Sequence, residues 1–215
     1  VCHAYGVSIN EYLVAVYVWS VYTECMHGMP SERPVRVAVP VNLRPYFNSI
    51  TTKNFFVMVS AEFHPTKEIY TFEEVLKSVS ESLRSQISRE NLEKLFSYNV
   101  SNEKLLAARI VPLFLKNLAM RYVYTTSALA NTATVTNIGN ISVSEEYRPY
   151  VEMFHAFLAM SKGQHLKGTI CSYGDTLVFS FSYDLTDTSV QRGFFRKIAA
   201  DGIAVEIETN GVNYE

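Results

Sequence analysis

The longest apolar run of the chain, Tyr12 to Tyr22, limits the possible folds more than any other feature. Ser8 and Glu11 stand at the spacing of a capping box just before it. Ile9, Tyr12, Leu13, Val16, Tyr17 and Trp19 then point to nearly every side of a helix spanning roughly residues 8–25. The run is about half the roughly 20 residues that a bilayer-spanning helix needs, and Glu11 and Glu24 flank it closely. A helix apolar on all sides must therefore be wrapped by protein, at the centre of the fold. With 215 residues, 48% of them hydrophobic and 19% charged, the chain has enough apolar material to do the wrapping. One globular, soluble domain over residues 1–215 is expected.

The same numbers narrow the function classes. Net charge is −2 and the basic residues are dispersed, so there is no electrostatic footprint for nucleic acid. Cys2, Cys25 and Cys171 are odd in number and widely spaced, with no pair at metal-ligand separation and no signal peptide before them. A reducing cytoplasm is the simplest compartment. The chain begins at Val1 without an initiator Met, and "VCHAYG" reads as the last turn of a helix ending on a glycine cap. An upstream segment is expected to have preceded it.

Along the chain, Val35, Val37, Val39 and Val41 mark a buried strand over 35–43, stopped by Pro45. A turn rich in Asn, Ser and Thr (48–52) leads to a second strand, Asn54 to His64, ended by Pro65. Thr71 and Glu74 make another capping box, and Phe72, Val75, Leu76, Val79, Leu83 and Ile87 continue at helical spacing. Helical patterns follow over 90–108 and 111–122, with breaks near Ser97–Ser101 and at Pro112. From Ala130 the pattern turns to β: two short pieces around Asn137 and Gly139, then "VEMFHAFLAM", then a hairpin turning at Gly174-Asp175. Asp187 is positioned to cap a last helix, 188–200, closed by Gly202, and "IAVEIET" reads as a possible terminal strand. The fold class expected is α/β, an α+β sandwich in which helices cover a mixed, largely antiparallel sheet.

Catalytic signatures are missing. There is no Gly-x-Ser-x-Gly elbow, phosphate-binding glycine loop, dinucleotide fingerprint or His-Glu-x-x-His. None of the five histidines has an Asp four residues on, and the one Glu at that spacing, Glu68 after His64, lies beyond the helix-breaking Pro65. No general base is evident.

Three polar clusters interrupt the apolar strands. Asn42 and Arg44 offer amide and guanidinium donors for an anion or carbonyl, or a structural Arg that pairs with a carboxylate or reaches solvent. Asn54, before Phe55 and Phe56, lines a channel or satisfies a turn. Thr134, Thr136 and Asn137, before Ile138-Gly139, supply donors to a developing oxyanion or form an ordinary turn.

In order, "GVSINEYLVAVYVWSVY", "VAVPVNLRPYF", "KNFFVMVSAEF", a run of helices, "VTNIGNI" and the hairpin "TLVFSFSYD" resemble the C-terminal half of the chloramphenicol-acetyltransferase-like superfamily of CoA-dependent acyltransferases. Its members include alcohol O-acetyltransferases and the condensation domains of nonribosomal peptide synthesis. The resemblance covers nearly the whole chain and implies one lobe of a two-lobed α/β fold with a tunnel between lobes. The family's catalytic His-His-x-x-x-Asp-Gly belongs to the first lobe and is absent here, so the resemblance implies no catalytic residue on this chain.

The substrate-binding residues it implies are Asn42, Arg44, Asn54, Phe56, Thr136 and Asn137. They shape the tunnel rather than transfer protons. The implied function is the C-terminal domain of an alcohol O-acetyltransferase that uses acetyl-CoA or another acyl-CoA as co-substrate, with no metal and no permanently bound cofactor. The implied partners are an N-terminal lobe of the same protein, the acyl-CoA and a small alcohol. Self-association through an exposed lobe interface is a further expectation. A non-catalytic binding or scaffold module, and a condensation domain using carrier-protein thioesters, remain as alternatives.

Overall fold

The computed structural model describes residues 1–104, 111–161 and 163–210. After a short helix α1 (Cys2–Tyr5), which ends on left-handed Gly6 with φ 66°, comes the apolar helix α2 (Ile9–Ser20). Its capping box is fully formed: Ser8 Oγ accepts from the Glu11 amide and Glu11 Oε2 accepts from the Ser8 amide. Nine of its twelve residues are buried, as a helix apolar on all sides requires. A π-helical turn (Val21–Cys25) continues it.

Strands β1 (Val35–Asn42), β2 (Phe56–Phe63), β3 (Ala133–Asn140), β4 (Leu166–Tyr173) and β5 (Thr176–Tyr183) form one mixed sheet in the order β2-β1-β3-β4-β5. β1 and β2 pair antiparallel, as do β4 and β5; the two central seams, β1–β3 and β3–β4, are parallel. The fold class expected from the sequence is the one found.

Alternation assigns the faces. Val37, Val39, Val57, Val59, Ala61, Val135 and Ile170 are buried in one core with α2, α4 (Phe72–Gln86) and α7 (Ser189–Ala200). Between β2 and β3 run α3 (Arg44–Phe47), α4, α5 (Arg89–Lys104) and α6 (Leu113–Leu129).

Helix α4 also protects the outer edge of β2. Gln86 accepts from the Ser60 amide and donates to the Ser60 carbonyl (3.1 and 2.8 Å), and Ser82 Oγ accepts from the Glu62 amide (3.1 Å). Ser78 Oγ donates to the Glu62 carbonyl (3.3 Å). Backbone groups that would invite another strand are thus occupied by side chains.

Several sequence expectations need correction. The break near Ser97–Ser101 does not occur: α5 is continuous from Arg89 to Lys104, and residues 105–108 of that predicted helix lie outside the described residues. Helix α6 runs on to Leu129. The two pieces around Asn137 and Gly139 are one strand whose register to β4 slips between those residues. "VEMFHAFLAM" and "IAVEIET" form no strand; each is irregular chain outside the sheet. At α7 the N-cap is Thr188 without a side-chain bond, and Asp187 Oδ1 accepts from the Ser189 amide (2.9 Å). Among the described residues, no helix is long and apolar enough to cross a membrane.

The start of α2 is tied to the end of α4 by charge. Arg84 donates from Nη2 to Glu11 Oε2 (3.1 Å) and to the Gly6 carbonyl (3.0 Å). Burial pushes the Glu11 carboxyl up, but the Arg84 guanidinium and the Ser8 donors outweigh it and hold it below its ordinary value. A depressed carboxylate contributes stability that is fully present above its unfolded value of about 4.3 and is lost as pH falls through the folded value. Urea unfolding followed downward from about pH 5 should therefore show a slope that Glu11→Gln flattens. An unchanged slope in the variant would assign the acid sensitivity to other carboxylates.

Candidate functional site

Strands β1 and β3 lie side by side and parallel, yet the chain leaves β1 toward β2 on one flank and leaves β3 toward β4 on the other. This is a topological switch point, and in open α/β sheets ligands bind in the crevice outside the carboxyl ends of the strands there. The seam has two register pairs, Val37↔Ala133 and Ala38↔Thr134; beyond them no pairing joins the strands toward their carboxyl ends. All six residues named from the sequence stand at this end of the sheet, where β1 and β3 finish and β2 begins.

On the β1 side, the buried Leu43 anchors the turn, its amide donating to the Phe55 carbonyl (3.0 Å). Pro45 stands second in the single turn of α3, and Asn48, in the left-handed region at φ 51°, ends it. Among the described residues Arg44 meets no carboxylate, and it does not reach freely into solvent. Its Nε donates to the Thr51 carbonyl (2.9 Å), Nη2 to the Lys53 carbonyl (2.6 Å) and Nη1 to Asn42 Oδ1 (3.2 Å). The Arg44 amide donates to the same Asn42 oxygen (3.1 Å). The guanidinium fork is thus a brace inside the loop joining β1 to β2, and Asn42 is part of the brace.

Asn54 is exposed at the end of that loop. Phe55 turns inward, edge-on to Phe47 and Phe96 with centroids 6.3 and 5.3 Å away. Phe56, the register partner of Asn42, turns the other way and is 49% exposed, with Met58 two residues on at 45%.

On the β3 side, register through Ala38↔Thr134 sets Thr136 on the same face as Asn42 and Phe56. Asn137 is on the opposite face, where its Oδ1 accepts from the Gly139 amide (2.8 Å). Gly139 has φ 86°, a conformation side-chain-bearing residues rarely adopt, and the register slip leaves Ile138 as the extra residue, 55% exposed. So Asn42, Phe56 and Thr136 share a face, Arg44 supports the rim, Asn54 is on the loop, and Asn137 shapes the bulge. These groups offer an apolar wall and a few hydrogen-bonding groups; none of them is a general base. They can bind and orient a substrate.

Helix α6 adds an apolar surface. Leu113, Phe114, Leu118, Met120 and Tyr122 are each at least 64% exposed. Leu115, Leu118, Ala119, Arg121, Tyr122 and Thr125 line an open groove along it.

One pairing went unseen in the sequence. His165 Nδ1 lies 3.0 Å from Asp184 Oδ1, at the opposite end of the sheet from the crevice. The search for an Asp at helical spacing misses it, whereas the hairpin register finds it: His165 stands nine residues before Gly174, and Asp184 nine after Asp175. Both side chains are about half exposed, and the pair closes the open end of the β4–β5 hairpin.

No protein-family model matches this sequence, and no curated protein is significantly similar to it. Solved structures are similar in fold. The chain is similar to the nonribosomal peptide synthetase FmoA3, at 17% identity and a TM-score of 0.56, over 93% of this chain and 19% of that one. It is also similar to the epimerization domain from the third module of tyrocidine synthetase B, at 11% identity and a TM-score of 0.52, over 92% of this chain and 42% of that one. A wax ester synthase/diacylglycerol acyltransferase from Marinobacter aquaeolei VT8 aligns over 94% of this chain and 46% of that one, at 16% identity and a TM-score of 0.48. The chain spans less than half the length of each. At these identities the likeness is one of fold, and it bears out the one-lobe architecture that the sequence resemblance implied.

Proposed function

We propose that this chain is one lobe of a two-lobed acyltransferase, the C-terminal domain of an alcohol O-acetyltransferase that moves an acyl group from acyl-CoA to a small alcohol. The observation that carries the reading is the β1/β3 switch point. There the register sets Asn42, Phe56 and Thr136 on one face, in a fold shared with one part of larger proteins. A His on a first lobe would take the hydroxyl proton as the alcohol oxygen attacks the thioester carbonyl, and collapse of the oxyanion would release the thiol. This chain would supply the opposite wall of the tunnel: Phe56 and Met58 as apolar surface, Thr136 and Asn42 as polar groups, and Arg44 and Asn54 in the loop at its rim. The exposed apolar side chains of α6 suit contact with another lobe or, in its absence, with a second copy.

A second reading, transfer from a thioester carried on a protein, is favoured by one observation. Two similar structures with a TM-score above 0.5, FmoA3 and the tyrocidine synthetase B epimerization domain, come from peptide synthetases.

Thiol release should be followed with acetyl-CoA and medium-chain alcohols. The expected result is no release by this chain alone and clear release when a lobe bearing His-His-x-x-x-Asp-Gly is joined upstream. Release by the isolated chain would overturn the division of labour. Release by the joined protein only with a carrier-bound thioester would select the second reading.

A further inference from the structure

On the sheet face turned away from α2, the start of β4 carries a cation with no anionic partner among the described residues. Lys167 is 7% exposed, and Nζ donates to the Ala159 carbonyl (2.8 Å) and to Ser161 Oγ (2.6 Å), both neutral. No carboxylate among the described residues pairs with it. Two residues along the same face, Thr169 is 2% exposed and its Oγ1 has no hydrogen-bond partner. The register sets Thr134 and Ser182 beside Lys167, and Thr136 and Ser180 beside Thr169. The strip is therefore made of hydroxyl groups around one buried ammonium.

A strap without regular secondary structure, residues 151–161, passes over this strip, with one isolated bridge from Ser161 to Gln164. Sheet side chains hold it: Lys167 at Ala159 and Ser161, and Cys171, whose Sγ donates to the Phe154 carbonyl (3.1 Å). A buried ammonium facing only neutral acceptors carries a desolvation cost that water can relieve in hydrogen bonding but not in charge. An orphaned buried hydroxyl two residues away lacks an acceptor. An oxygen-bearing anion would supply both.

We propose that the strip under the strap is a binding site for a small oxyanion, a carboxylate or phosphate group, held by Lys167 Nζ and Thr169 Oγ1 between strap and sheet. The strip adjoins the proposed acyl-transfer crevice on the same sheet face, meeting it at Thr136, but anion binding by Lys167 and Thr169 does not depend on that reading and is tested without acyl transfer. Strap contacts that are side-chain bonds rather than a ladder allow the anion to enter by local opening.

The test is thermal unfolding of the full chain at fixed ionic strength in phosphate, acetate or chloride, at low millimolar concentrations where general salt exclusion is not felt. Phosphate or acetate should raise Tm saturably and chloride should not; which of the two acts identifies the group recognised. Lys167→Met keeps the apolar stem and removes the charge, and it should abolish the response. Thr169→Val removes only the hydroxyl and should raise the apparent Kd about tenfold. A Tm equal in all three salts, or a response that survives in Lys167→Met, overturns the site. Should Lys167→Met not fold, titration of the wild-type chain and Thr169→Val followed by phosphorus or carbon NMR decides. Saturable line broadening weakened by the substitution supports the site; no broadening, or equal broadening in both proteins, overturns it.

Discussion

Phe194→Ala is expected to lower the stability of the folded chain by about 3–5 kcal/mol and its Tm by roughly 6–20 °C. Phe194 is fully buried on the inner face of α7, with its ring centroid 4.2 Å from Phe179, 5.2 Å from Phe181 and 5.4 Å from Phe195. The hole left by truncation would be walled by rings that cannot easily close it. Phe179 lies against the backbone of β4, where a Cβ built on Gly168 would come within 2.6 Å of its Cζ. The ring cluster also joins α7 to the β4–β5 hairpin, so its loss loosens a whole element. Phe195→Ala is the comparison: that ring touches Phe181 and Phe194 but is partly exposed, and its removal should cost less than half as much. Urea or thermal unfolding measures both. A cost below about 1.5 kcal/mol for Phe194 would mean that the cluster repacks and that α7 is held elsewhere.

The second large effect is local. Arg44→Ala removes three guanidinium bonds from the 42–53 loop, and for a half-exposed cation these are together worth roughly 2 kcal/mol. That corresponds to about a thirtyfold rise in local opening. Hydrogen exchange of the loop amides, above all Leu43, which donates to Phe55, should speed up by about that factor while the amides of α2 and α4 stay unchanged. Arg44→Lys keeps the charge but lacks the fork, so it should restore less than half of the protection. Unchanged exchange at Leu43 would refute the brace. If the acyl-transfer reading holds, the same substitution in the two-lobed enzyme should act by displacing the crevice rim.

Much of the framework was legible because its causes are local. Ser8 with Glu11 and Thr71 with Glu74 announced two helix starts, Val35 to Val41 a strand, and Gly174-Asp175 a hairpin. The errors arose where tertiary context decides. Ser97 and Ser101 read as a break, but their neighbours keep helical geometry through Lys104. "VEMFHAFLAM" is apolar enough for a strand; with β4 already flanked by β3 and β5, it has no open edge to join there and becomes a strap. At the site, an Arg at a strand end announced a partner without naming it, because the backbone carbonyls of Thr51 and Lys53 leave no trace in a sequence. That Thr136 and Asn137 face opposite ways follows from strand alternation; that the Gly139 amide occupies Asn137 depends on a bulge no pattern revealed.

The two-pair seam between β1 and β3 also has a kinetic meaning. Each hairpin-like pair, β1–β2 and β4–β5, assembles from segments near one another in the chain, whereas the seam brings Arg36 to Thr132, 96 residues away. Contacts of such separation carry the largest loop-closure entropy and tend to form late. With so few ladder bonds to hold it, the seam is also where the sheet should part first under thermal agitation. The opening mouth of the crevice and the earliest step of unfolding would then be one motion. A molecule lodged there would act as a kinetic lock, lengthening the lifetime of the native fold by stapling its slowest-made join.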